Sequence, residues 1–182
     1  MKRAIIVPAE LPPEALAELK QWLAISGARD DAALVRQLAA ALELCEGFTG
    51  QVPVECTCEE LIAAHGGWQA LAARPVLAIV SVEGIPAAGA RFALPAEAYA
   101  VELDADGGAR LRVSAPGAAT RIAVRFVAGL APSWAALPAS LRDGVIRLAA
   151  HQHRLRETTP AEGAPPASVT ALWRPWRRVR IA

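Results

Sequence analysis

Cys56, Cys58 and His65 are the first residues of this 182-residue chain whose types and spacing could hold a metal ion. In an extended strand, positions two apart point to the same side, so the two thiols could share one ion, with His65 as a third ligand. No second Cys pair follows to complete such a site, and ordinary strand cysteines are the simpler reading; no metal is expected. His151 and His153 lie two apart in a helical pattern, about 200° around its axis, so they cannot grip one ion and read as surface or interface histidines. Asp104 and Asp106 fall in a turn, where Asp belongs for backbone reasons. There is no Ser in a nucleophile elbow, no Cys/His pair with an orienting group, and no Gly-rich phosphate loop opening a helix. The expectation is therefore no catalytic residue, no cofactor and no enzyme.

The segment LWRPWRRVRIA at the C-terminus is chemically the densest. It crowds Trp173, Arg174, Trp176, Arg177, Arg178 and Arg180 into a few positions. Trp and Arg are the types most enriched at binding hot spots, through buried area and multidentate hydrogen bonding. Three readings compete: an arm that docks on a protein partner, a contact to nucleic-acid phosphates, or a tail folded over its own domain. A net charge of +1 is too balanced for a dedicated DNA binder, although the positive residues concentrate from Arg147 onward and acidic residues prevail before it. A small nucleic-acid-binding module using this tail is the alternative function. The three cysteines, odd in number, suit a reducing compartment.

Stepping along the chain gives the elements that must carry these residues. Pro12 and Pro13 can open a helix in which Leu16, Leu19, Trp22 and Leu23 recur at helical steps, ending near Ser26 and Gly27. A second helix begins at Asp30 or Asp31 and carries the stripe Leu34, Leu38, Ala41, Leu42 and Cys45, with a stop at Gly50. From Gln51 the texture changes to short β-type runs punctuated by Pro and Gly, roughly five or six strands, with a hairpin turn at Asp106, Gly107 and Gly108. RIAVRFVAG places Ile122, Val124, Phe126 and Ala128 on one face. No helix in this region is long enough for parallel crossovers, so an antiparallel arrangement follows. After Pro138, Leu141, Val145, Leu148, Gln152 and Leu155 trace a helical face ending near Arg156 and Glu157. A Pro- and Gly-containing linker leads to a short helix and the basic tail.

The expected fold class is α+β: a helical bundle of two N-terminal helices, one long C-terminal helix and a short terminal helix, with an inserted antiparallel β module. The expected parts are residues 1–50 (helical), 51–130 (the β module), 131–157 (the C-terminal helix) and 158–182 (linker and arm). No run of about 18 uninterrupted apolar residues exists, so no membrane span is expected, and the apolar residues 4–7 are too short a run for a signal peptide.

Taken in order, several pieces carry a resemblance: the opening helix ending LAISG with DDAALVRQLAAALELCEGFTG, the strand RPVLAIVSVEG, the segment AYAVELDADGGARL, the junction IAVRFVAGLAPSWAALPASLRDGVIRLAAHQHRLRE, and the ending PPASVTALWRPWRRVRI. In this order they resemble the head-to-tail connector (adaptor) proteins of long-tailed phages and phage-like gene transfer agents, over nearly the whole chain. The likeness departs at residues 56–73, where the family has a plainer strand and loop. The resemblance implies a structural ring subunit, twelvefold in the family, in the neck of a virion or phage-like particle assembled in the bacterial cytoplasm. Its implied partners are further copies of itself, the portal protein above, the next neck or tail protein below, and DNA passing through the lumen without sequence-specific contact. Trp173, Arg174, Trp176, Arg177, Arg178 and Arg180 become the expected portal- or partner-binding residues, on an arm expected to be removable from Trp173 onward without unfolding the rest.

Overall fold

The computed structural model describes residues 3–155 and 165–178. The chain divides into two compact units, and each is assembled from two separate stretches. A β unit takes Met1–Ala9 and Glu55–Leu130; a helical unit takes Glu10–Val54 and Ala131–Ala182. The class is α+β, with helices and antiparallel sheets.

In the helical unit, α1 (Pro13–Leu23) opens on Pro12 and Pro13, whose missing N–H groups would be unpaired in a first turn anyway. It closes at Ala24, which takes the left-handed conformation (φ 58°), while the Ile25 N–H reaches back to the Lys20 carbonyl at 2.9 Å. α2 (Asp31–Thr49) buries Leu34, Leu38, Ala41 and Cys45, steps of four, three and four that keep one face inward. Its start is capped by the Asp30 backbone rather than by a side chain; the Asp31 carboxylate instead accepts a hydrogen bond from Lys20 Nζ at 2.7 Å, tying the two helices together. Gly50, at φ 71°, ends the helix as its sequence position suggests. α3 (Ala139–Leu155) buries Leu141, Val145, Leu148 and Ala149. Just before it, Trp134 is buried and donates its indole N–H to Glu18 at 3.4 Å. The short α4 (Ala167–Trp173) follows, and a single 3₁₀ turn, Arg174–Trp176, continues it.

The β unit contains β1 (Arg3–Val7), β2 (Cys56–Ala63), β3 (Gln69–Ala70), β4 (Val76–Pro86), β5 (Phe92–Ala93), β6 (Tyr99–Leu103), β7 (Ala109–Val113) and β8 (Ala119–Ala128). One sheet runs β1-β2-β8-β4-β5 and a second runs β3-β7-β6, with every pairing antiparallel. β8 lies in the middle of the larger sheet. Its alternate residues Ile122, Val124, Phe126 and Ala128 are fully buried, as period-two patterning demands of a strand with one core face. The opposite face is charged: Glu59 lies across from Arg125 and receives two hydrogen bonds from Arg91 at 3.1 and 3.0 Å. That contact raises the Arg91 pKa further above its ordinary value. The β6–β7 hairpin turns at Gly107, where φ is 80° and a side chain would collide with Pro75.

Three features differ from the sequence-based expectation. Residues 3–7, grouped there with the helical part, form an edge strand of the sheet, and residues 51–54 belong with the helices. From Gln51 on there are seven strands among the described residues rather than five or six, two of them, β3 and β5, only two residues long. Within residues 56–73 the chain makes strand β2, a turn, and β3. The buried Glu60 fixes this stretch: its carboxylate accepts the Ala72 N–H at 2.9 Å and the Ala73 N–H at 3.0 Å. Arg156, Glu157 and the start of the linker lie outside the described residues.

Candidate partner-binding surfaces

The C-terminal segment begins where Pro165 and Pro166 lead into α4. Val169 and Trp173, four apart, put both side chains on one face, and both are buried. The Trp173 indole N–H donates to the Leu141 carbonyl at 3.3 Å, and its ring lies 6.0 Å from that of Phe48, tilted by 49°. Gly144 makes room for it: a Cβ there would overlap the indole nitrogen. Trp173 is thus a core residue of the helical unit, and an arm separable at that position is corrected to one sealed there.

Beyond Trp173 the chain stays fastened. The Trp176 indole N–H donates to Ser140 Oγ at 2.9 Å, Gln51 Nε2 donates to the Trp176 carbonyl at 2.6 Å, and the Arg178 N–H donates to the Thr49 carbonyl at 2.9 Å. Arg177 lies over the Phe48 ring, 5.5 Å from its centroid. These contacts hold Trp176, Arg177 and Arg178, with Arg174 beside them in the chain, at the surface of the helical unit over the buried Trp173. Trp176 is half-buried, while Arg174, Arg177 and Arg178 are exposed. Arg180 lies outside the described residues. The arrangement offers guanidinium donors on a rigid base, suited to pairing with carboxylates or carbonyls of a protein surface.

Elsewhere in the helical unit an open groove is lined by Glu18, Gln21, Trp22, Arg142, Asp143 and Arg154. Arg142 pairs there with Glu18 at 3.7 Å and Asp143 with Arg147 at 2.8 Å, and Arg147 stacks on Trp22 at 5.3 Å. No nucleophile lines it. Cys56 and Cys58 share one face of β2 with their sulfurs 3.5 Å apart, both buried, whereas His65 sits in an exposed turn and accepts the Gly67 N–H. Among the described residues no group of three metal-ligating side chains converges. Burial, with the nearby Glu46 charge, pushes the Cys45 thiol up to about 12, so it stays protonated and inert. His151 is exposed and His153 half-buried on α3. No helix among the described residues is long and apolar enough to cross a membrane.

Two surface features escaped the sequence reading. Trp68 lies under two guanidinium groups, Arg110 at 5.8 Å and Arg112 at 5.1 Å, as a cross-strand cluster that only the β3–β7 pairing creates. Residues 5–7 form an exposed apolar edge on β1.

Solved structures supply the deciding comparison. The chain is similar to one in the virion of a native gene transfer agent particle, with 31% identity, 100% of this chain and 98% of that chain covered, and a TM-score of 0.73. The chain belongs to the head-to-tail connector family of phages and gene transfer agents. It is also similar to a chain in the neck of an empty gene transfer agent particle computed with C6 symmetry, at 29% identity, 100% and 98% coverage and a TM-score of 0.77. A chain in the neck of a native particle computed with C12 symmetry matches at 29% identity, 98% and 97% coverage and 0.72. No protein-family model and no curated protein matches. As a connector-family member the chain is a structural component of the neck of a phage-like particle and not an enzyme.

Proposed function

We propose that twelve copies of the chain form a ring joining the portal of a DNA-filled capsid to the next neck or tail protein, with DNA passing through the lumen without sequence-specific contact. The observation that carries this reading is the likeness, over 98% of the chain, to a chain in the neck of a native gene transfer agent particle computed with C12 symmetry. A cyclic assembly needs a heterologous contact whose rotation divides the circle evenly. The prevalence of acidic over basic residues before Arg147 suits a channel wall that must not hold DNA phosphates.

In this reading the portal contact is the basic surface around Arg174, Arg177 and Arg178, with Trp176 at its margin and Trp173 holding the surface to the helices beneath; Arg180, outside the described residues, is assigned to the same contact by its sequence position. The test is removal of the protein from producing cells. DNA-filled capsids without tails are the expected product, and tailed, infective or transferring particles would overturn the assignment. Replacing Arg174 and Arg177 by Glu tests the portal surface separately: the variant is expected to fold normally yet be missing from capsids, and normal incorporation would move the portal contact elsewhere.

A further inference from the structure

Both edges of the five-stranded sheet end in uncharged aliphatic backbone. On one side β1 pairs, among the described residues, only with β2, and Ile5, Ile6 and Val7 are 48%, 43% and 56% exposed. On the other side β5 covers β4 only at Glu83 and Gly84. Residues 77–81 of β4 have no strand beside them on that side among the described residues. Leu77 and Val80, the extra residues of two bulges in β4, are 45% and 56% exposed. Open strand edges of free-standing sheets are ordinarily blunted with Lys, other charges or Pro. LAIVS contains none of these, and β1 carries only Arg3, at its first position.

We infer that these two edges are the two halves of the contact between neighbouring copies: β1 of one chain lies along residues 77–81 of β4 in the next, burying Ile5, Ile6 and Val7 against Leu77 and Val80. The inference rests on the ring reading above and names its interface. A closed ring of identical subunits requires each copy to present two different, mutually complementary surfaces facing opposite ways around the circle. The strand order β1-β2-β8-β4 puts these edges on opposite sides of one sheet. Both present an open strand edge among the described residues together with exposed aliphatics, displaced from the ladder by a register shift at Ile6 in β1 and by bulges at Leu77 and Val80 in β4. The second copy is the occupant because the surfaces match each other in chemistry and are fixed within one rigid sheet.

The test uses the full chain in assembled particles. Pairs of cysteines are introduced, one at position 5, 6 or 7 and one at position 77 or 80, and purified particles are mildly oxidised and run on non-reducing gels. Because every copy carries both halves, at least one pair is expected to give a ladder rising by single subunits, while Ile6→Cys alone gives none. Ile6→Lys and Val80→Lys, at exposed positions, are expected to melt like the parent yet enter particles at least about tenfold less, since assembly would bury an unpaired charge. Should a lysine variant misfold, the cysteine ladder still decides. Particles holding the paired-cysteine chains in normal amount with no ladder from any pair overturn this interface and leave the neck assignment standing. Absence of the parent chain from the neck overturns that assignment instead.

Discussion

The two units differ in where their apolar side chains stay open. The helical unit buries Trp134 and Trp173, each indole N–H with an acceptor, lays the Trp-Arg ending onto α2 and α3, and leaves Trp22, beneath Arg147, and Val35 exposed. The sheet of the β unit leaves runs of aliphatics uncovered along both edges, and in the small sheet two arginines lie over the partly exposed Trp68. The difference separates residues that hold a subunit together from residues available to others. In the conspicuous Trp-Arg ending, Trp173 went into closing the first unit while Arg174, Arg177 and Arg178 stayed exposed. An inconspicuous run, three aliphatics near the start, stayed open in the second.

The strongest way to break this contrast is Trp173→Ala. If the indole closes the helical unit, its loss costs about 3–5 kcal/mol, read from the urea midpoint. A change of about 0.5 kcal/mol or less, the size of a surface substitution, would mean the arm is only resting there. Gly144→Ala attacks the same seat from the other side and is expected to cost about 1–3 kcal/mol by forcing the ring outward. A third probe is pH. The folded Cys45 thiol is raised from the ordinary 9.0 to about 12, so between these values the native state keeps a proton that the unfolded chain has released. Stability is therefore full below about pH 9 and falls as pH rises toward 12, and Cys45→Ala should reduce that slope in unfolding measured at several pH values.

On the open side the effects on stability shrink. Trp68→Ala removes two partly exposed cation–π contacts and should cost about 1 kcal/mol by the same measurement. Ile6→Lys should change stability by no more than about 0.5 kcal/mol, although assembly suffers. A large loss in the isolated protein would show that β1 is already covered.

What the sequence made legible follows from locality. The stripe Leu34, Leu38, Ala41 and Cys45, the stop at Gly50, the alternation through β8 and the Gly107 turn are all signals written within a few residues. β1 was missed because its register partner is distant, Arg3 opposite Glu60, and because AIIV shows no alternation that would betray a strand. The burial of Trp173 was missed for a related reason. A seven-residue helix gives only one repeat, Val169 to Trp173, too little periodicity to set against a composition typical of exposed hot spots. Glu60 carries no local mark either, since an acceptor for two backbone N–H groups twelve and thirteen positions on is defined only by the folded loop.

The central place of β8 has a kinetic consequence. β2 and β4 never touch each other's backbone; both are zipped to a strand that emerges from the ribosome after them, and β1 waits on β2. Until Ala128 has been synthesised, the larger sheet has no spine to form around, and its aliphatic segments remain without their final neighbours. The β1–β2 pair and the β3-β7-β6 sheet can form beforehand, but the larger sheet is joined only when β8 arrives.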